Sequence, residues 1–219
     1  MFATIYQSPW HHPVAFWALE IPFLLFLAAR VRRAGRMGFV GGALLTFQLT
    51  IMLDAWLTGP WSPLPSGTTA ATAAAITFVV LGDLRYLILA QRFSLPGAPS
   101  LPHWLGLPFA VSLVVPIASK IATRGIAEPR VLFLVYELMF ATLAGLIWVG
   151  LRRRSGPHVA WVRRLTGFEI AQYLTWATAD VIILAGEDAG FALRVVANLL
   201  YYAAFVPFAW WTCPEELKP

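Results

Sequence analysis

The sequence breaks into seven stretches of 18 or more predominantly apolar residues, separated by short segments that hold most of its arginines. A stretch of this length crosses a bilayer core of about 30 Å as an α-helix. The chain is 59% hydrophobic and only 12% charged, against roughly 45–50% and 25% in soluble domains. So few charges do not cover a water-soluble surface. The expected fold class is an all-α polytopic membrane protein, a seven-transmembrane-helix bundle forming one domain over residues 1–219.

The spans are expected at about Pro13–Val31, Met37–Thr58, Ala70–Arg92, His103–Thr123, Pro129–Leu151, Leu165–Gly186 and Ala189–Thr212. Gly and Pro punctuate the breaks, at Gly59-Pro60, Pro63, Pro65 and Gly67, at Pro96 to Pro102, and at Gly156-Pro157. Pro108 and Pro116 make the fourth span the least regular. No Lys or Arg precedes the first apolar run, so a cleavable signal is not expected and the first span is expected to stay.

Counting Lys and Arg in alternate loops sets the orientation. Arg30, Arg32, Arg33 and Arg36 follow the first span, Arg92 the third, and Arg152, Arg153, Arg154, Arg163 and Arg164 lie between the fifth and sixth. The opposite side has only Arg124 and Arg130. The N-terminus is therefore expected outside and the C-terminus in the cytoplasm. Trp10, Trp56, Trp61, Trp104, Trp161, Trp210 and Trp211 fall near span ends, where an interfacial aromatic belt would sit. A net charge of +5 is explained by these loop arginines, which form no basic patch for nucleic acid. The lone Cys213 excludes an intrachain disulfide and a Cys-X-X-Cys pair.

A faint repeat runs through the acidic residues. Glu20 and Glu137 lie in the first and fifth spans, each followed by arginines, and Asp54 and Asp180 lie near the outer ends of the second and sixth. This suggests a 3+1+3 plan of parallel repeats joined by the fourth span.

Nine ionisable side chains lie within the apolar stretches: Glu20, Asp54, Asp83, Glu137, Glu169, Asp180, Arg85, Lys120 and Arg194. Unpaired at the bilayer centre they would cost on the order of 25 kcal/mol. They must pair, become neutral or line a wet cavity. Rise along the helices puts Glu20, Asp54, Lys120, Glu137, Asp180 and Arg194 in the outer half and Asp83, Arg85 and Glu169 in the inner half. An outer ligand- or proton-binding cluster is the leading expectation. Glu169, Gln172, Tyr173, Trp176 and Asp180 share one helical stripe, and Arg194, Asn198, Tyr201 and Phe205 share another. Facing stripes of this kind describe a ligand cavity, and equally helix-to-helix hydrogen bonding.

Gly82-Asp83 resembles the glycine-aspartate pairs of intramembrane aspartyl proteases, with Asp54 or Asp180 as a second carboxylate. The rest of such motifs is absent, and an ion pair of Asp83 with Arg85 or Arg194 is the favoured reading. His11-His12 could ligate a metal but, between Trp10 and Pro13, reads better as an interfacial pair. His103 and His158 sit at loop edges, which argues against bis-histidine haem. Microbial rhodopsins need a lysine in the last helix, and the only lysines are Lys120 and Lys218. The Pro-Gln signature of the 3+1+3 sugar transporters is missing too, with Ile21-Pro22 and Gln7-Ser8-Pro9 the nearest analogues.

Three functions follow. The first is a small-molecule transporter coupled to protons through the outer carboxylates. The second is a membrane-embedded enzyme on a lipid or isoprenoid, with carboxylates as acid and base beside Trp176, Tyr201 and Tyr202. The third is a noncatalytic or receptor-like subunit of a membrane complex. Expected partners are the lipid bilayer, a small apolar or amphipathic ligand, and a second copy or a complex partner; the sequence names no cofactor. The small size and Ala, Leu and Arg-rich composition point to a bacterial inner membrane.

Overall fold

The computed structural model describes residues 1–94 and 105–219, and among these every regular element is a helix, with no strand. The expected break at Pro96 to Pro102, together with His103 and Trp104, lies outside the described residues. The elements are α1 (Phe2–Tyr6), a π-helical turn (Trp10–Ala15), α2 (Phe16–Ala34), α3 (Gly38–Leu57), α4 (Thr69–Ser94), α5 (Leu107–Ala122), α6 (Pro129–Leu151), α7 (Pro157–Leu184) and α8 (Ala189–Leu199). A second π-helical turn (Leu200–Ala204) runs into α9 (Phe205–Thr212), and a 3-10 turn (Glu215–Leu217) follows.

Local chemistry explains the helix ends. At the close of α2, Gly35 adopts φ 65°, the left-handed conformation that ends a helix cheaply only in glycine. Pro129 opens α6 where its missing N–H costs nothing, and the Glu128 side chain accepts from the Arg130 amide as an N-cap. Gly156 at φ 113° and Pro157 start α7 eight residues before the apolar stretch expected from Leu165. The helix tolerates Arg163 and Arg164, which the apolar criterion rejects.

Among the described residues, five stretches are long and apolar enough to cross a membrane: Trp10–Ala34, Gly38–Leu57, Thr69–Ser94, Pro129–Leu151 and Ala189–Thr212. With 16 residues, α5 is about 24 Å long. α7, at 28 residues, is long enough but carries Arg163, Arg164, Glu169 and Asp180.

The chain divides into two compact units, one of Met1–Ala3 with Asp83–Ala197 and one of Thr4–Gly82 with Asn198–Pro219. In the first, α6 and α7 form a closely packed hairpin, with α5 against α6. Its core holds Tyr86, Phe140, Trp161, Leu165 and Tyr173. In the second, α2 packs on α3, and both meet the Leu200–Ala204 turn. Phe16 stacks on Tyr202 with ring centres 4.6 Å apart, and Trp210 meets Phe26 edge-on at 5.8 Å.

Two of the expected belt tryptophans are therefore interior. Trp161 is buried against Phe93, and Trp210 is buried beside Phe26. Trp10, Trp56, Trp61 and Trp211 are exposed. Proximity to a span end gives depth, not the direction a ring faces.

Candidate functional site

The polarity of this fold is inverted relative to a soluble protein. Val114, Ile117, Leu146 and Val149 are more than half exposed, while Glu20, Asp83, Glu137, Glu169 and Asp180 are 3% exposed or less. A hydrocarbon solvent favours that arrangement, because charged groups escape it only by turning inward.

In the Asp83–Ala197 unit, Asp180 is the hub of an ionic cluster. Its Oδ1 accepts from Arg130 Nη1 at 2.8 Å and from Arg194 Nη1. The same Arg194 nitrogen lies 3.6 Å from Glu137 Oε1. Two carboxylates and two guanidiniums thus meet with their charges cancelling. Arg130 and Glu137 are seven residues apart on α6, two turns along one face, so one helix supplies both a cation and an anion. Phe191 lies 5.4 Å from the Arg130 guanidinium and Phe133 6.0 Å from that of Arg194, within reach of cation–π attraction. Glu137 Oε2 and Asp180 Oδ2 are buried with no hydrogen-bond partner among the described residues.

In the same unit, Asp83 of α4 lies in a tyrosine cradle. Tyr136 donates to its Oδ1 at 2.7 Å and Tyr173 donates to the same oxygen, with the two hydroxyls 3.2 Å apart. Arg85 acts electrostatically on both Asp83 and Glu169. Residues i and i+2 of a helix face different directions, so the Asp83 hydrogen bonds come from α6 and α7. Glu169, Gln172, Tyr173 and Asp180 are all buried, and the Trp176 ring lies 5.4 Å from that of Tyr173.

In the other unit, Asp54 Oδ1 accepts from Thr58 Oγ1 at 3.0 Å and Oδ2 accepts from Tyr201 Oη at 3.2 Å. Glu20 is buried on α2, and Gln48 is buried on α3 with neither amide atom hydrogen-bonded among the described residues. Asn198 is buried as well. His11 Nδ1 lies 3.0 Å from the Tyr6 carbonyl oxygen, and the His12 ring sits edge-on to Tyr202.

The expected outer residues therefore divide: Glu137, Asp180 and Arg194 meet in one unit, whereas Asp54 and Tyr201 meet in the other, which also holds Glu20. Lys120 is exposed on α5 and the second cation of the cluster is Arg130. Arg130 is invisible as a site residue in the sequence because a basic side chain at a span end reads as a topology signal. Tyr136 carries no formal charge; its position next to Glu137 was the available signal.

Comparison with known protein families, with curated proteins and with solved structures finds no match to this chain. What the fold and its inverted polarity define is a class: a helical membrane protein with buried ionic and tyrosine networks.

Proposed function

We propose that the chain is a small-molecule transporter coupled to protons, working through Glu137, Asp180, Arg194 and Arg130. One observation carries this reading: a single guanidinium, Arg194, is shared between two buried carboxylates, and Asp180 has a second cation to fall back on. Protonating Glu137 withdraws its claim on Arg194. Deprotonation restores the competition with Asp180, so the pairing of α6, α7 and α8 changes with proton occupancy. A substrate carrying a carboxylate or an ammonium enters the same exchange by displacing one partner. In this reading the bundle has seven spans with the N-terminus outside, α5 and α7 crossing in addition to the five apolar stretches, in a bacterial inner membrane. In the same Asp83–Ala197 unit, Trp176 belongs to the polar lining, and Asp83, Glu169 and Arg85 to the inner part of the path.

The test is proton movement in proteoliposomes loaded with the dye pyranine and challenged with a panel of amino acids, sugars and organic cations. At least one compound is expected to change the internal pH with the native chain, and Glu137→Gln is expected to abolish that change. Proton traces identical to those of protein-free liposomes across the panel overturn the proposal.

The cradle of Asp83, Tyr136 and Tyr173 is the one observation that favours the enzyme reading, since a carboxylate bonded to two phenols is an acid–base group. Conversion of lipids carried through purification, lost in Asp83→Asn, would favour it over transport.

A further inference from the structure

A groove of about 330 Å³ lies within the Asp83–Ala197 unit, walled by Leu87 and Ala90 of α4, Leu107 and Val111 of α5, and Ile147 of α6. Its size falls at the lower end of the roughly 300–1,000 Å³ of ligand sites. Leu107 and Gly150 are exposed, so it opens on the outside of the unit. At Gly150 an added Cβ would meet nothing within 4 Å, so the groove is open at that position.

The walls are apolar but one end is not. Gln91, Ser94 and Arg154 line the groove where α4 and α6 finish. Arg154 Nη1 donates to the Ser94 carbonyl oxygen at 2.6 Å, which pins the guanidinium at the rim. Arg152 and Arg153 precede it in an exposed turn. The loop-charge rule assigns this end to the cytoplasmic surface, where anionic headgroups concentrate and basic pockets between helices bind them.

An occupant must suit both ends. A soluble anion gains nothing from the leucine-lined length, and a lipid whose headgroup has no net charge gains less from Arg154 than an anionic one. An acyl chain beneath a phosphate satisfies the two together, with the guanidinium donating to phosphate oxygens in the forked geometry that arginine offers.

We propose that this groove is a binding site for one anionic phospholipid, with an acyl chain along Leu87, Val111 and Ile147 and its phosphate on Arg154. The site uses none of the residues of the proposed transport path, so a lipid-free protein with intact proton movement would leave the two readings separate.

Native mass spectrometry of the detergent-purified chain with added dioleoyl phosphatidylglycerol or dioleoyl phosphatidylcholine tests it. The wild type is expected to keep a single phosphatidylglycerol about fivefold more strongly than phosphatidylcholine, the effect of about one cation at the headgroup. Arg154→Ala should erase that preference, Arg154→Lys should keep part of it, and Arg33→Ala, in a separate loop cluster, should leave it intact. Gly150→Phe and Val111→Trp should each weaken retention of both lipids by filling the slot, with monodispersity on size exclusion showing the variants are folded. Equal retention of the two lipids by the wild type overturns the proposal. So does an Arg33→Ala loss as large as that of Arg154→Ala, or a filled groove that still binds.

Discussion

Glu137 and Arg194 stand 3.6 Å apart while the same arginine nitrogen donates to Asp180. The two carboxylates are therefore unequal partners. Asp180 has two guanidiniums and Glu137 shares one. Asp180→Asn leaves the part-buried Arg130 without its carboxylate and Arg194 with Glu137 alone, and is expected to destabilise the protein by about 3 kcal/mol, the scale of breaking a buried pair. Glu137→Gln should cost less. Chemical unfolding in mixed micelles, followed by circular dichroism, measures both; equal losses would contradict the hierarchy.

Gly82 owes its place to Tyr201. A Cβ at residue 82 would lie 2.9 Å from Cε2 and 3.0 Å from Cζ of that ring. Gly82→Ala is expected to destabilise by about 1–3 kcal/mol through overpacking and to push the phenol off Asp54. The penalty should shrink in a Tyr201→Leu background, as a double-mutant cycle would show. A penalty unchanged by Tyr201→Leu would mean that the ring is not what Gly82 accommodates.

Tyr173 and Tyr136 divide the work of satisfying Asp83 unevenly. Tyr173 is fully interior whereas the Tyr136 bond is only part-buried. Tyr173→Phe is expected to cost about 1–3 kcal/mol, since it strips a donor from a buried carboxylate, and Tyr136→Phe less. Thermal unfolding in detergent ranks them, and the reverse order would sink this account.

The N-terminal segment should loosen in acid. Asp188 accepts from the amides of Phe2 and Ala3, at 2.8 and 2.9 Å, and from the Met1 amino group. These donors hold its carboxyl down at about 2, from an ordinary 3.8. A lowered folded-state value means that the tether is complete above about pH 4 and is lost as pH falls toward 2. Amide exchange at Phe2 and Ala3 is expected to be slow at pH 6 and to lose its protection in that window. In Asp188→Asn the protection should be weak at every pH.

Cys213 should resist alkylation. Burial pushes its thiol up to about 12, so the thiolate that attacks maleimides is scarce at neutral pH. N-ethylmaleimide labelling of native protein at pH 7 should be far slower than labelling after denaturation; comparable rates would refute the burial.

Much of this helical plan was legible because lipid imposes a length and glycine and proline mark the ends. The stretch Pro129–Leu151 is bounded in the sequence by a proline and an arginine cluster, and α6 has those same limits. The start of α7 was not legible, because a run of apolar residues reports how much chain can lie in hydrocarbon, not how far the helix continues past it. Within the site, Glu137, Asp180 and Arg194 stand out as charges where charge is expensive. Arg130 and Lys120 did not sort themselves: both are cations near span ends, and only tertiary packing turns one toward Asp180 and the other outward. Gln48 and Tyr136 escaped notice because, unlike Gln172 or Asn198, neither shares a helical stripe with a charged residue that was singled out.

Each place where the chain passes from one compact unit to the other, between Ala3 and Thr4, Gly82 and Asp83, or Ala197 and Asn198, falls inside a helix. Dividing this protein into its units therefore means cutting helices, and the cuts in α4 and α8, within apolar stretches, would leave backbone N–H and C=O groups that water cannot rescue in hydrocarbon. Neither half is a cassette that recombination could lift out at a loop, and an insertion tolerated at a loop tip would be ruinous at Gly82.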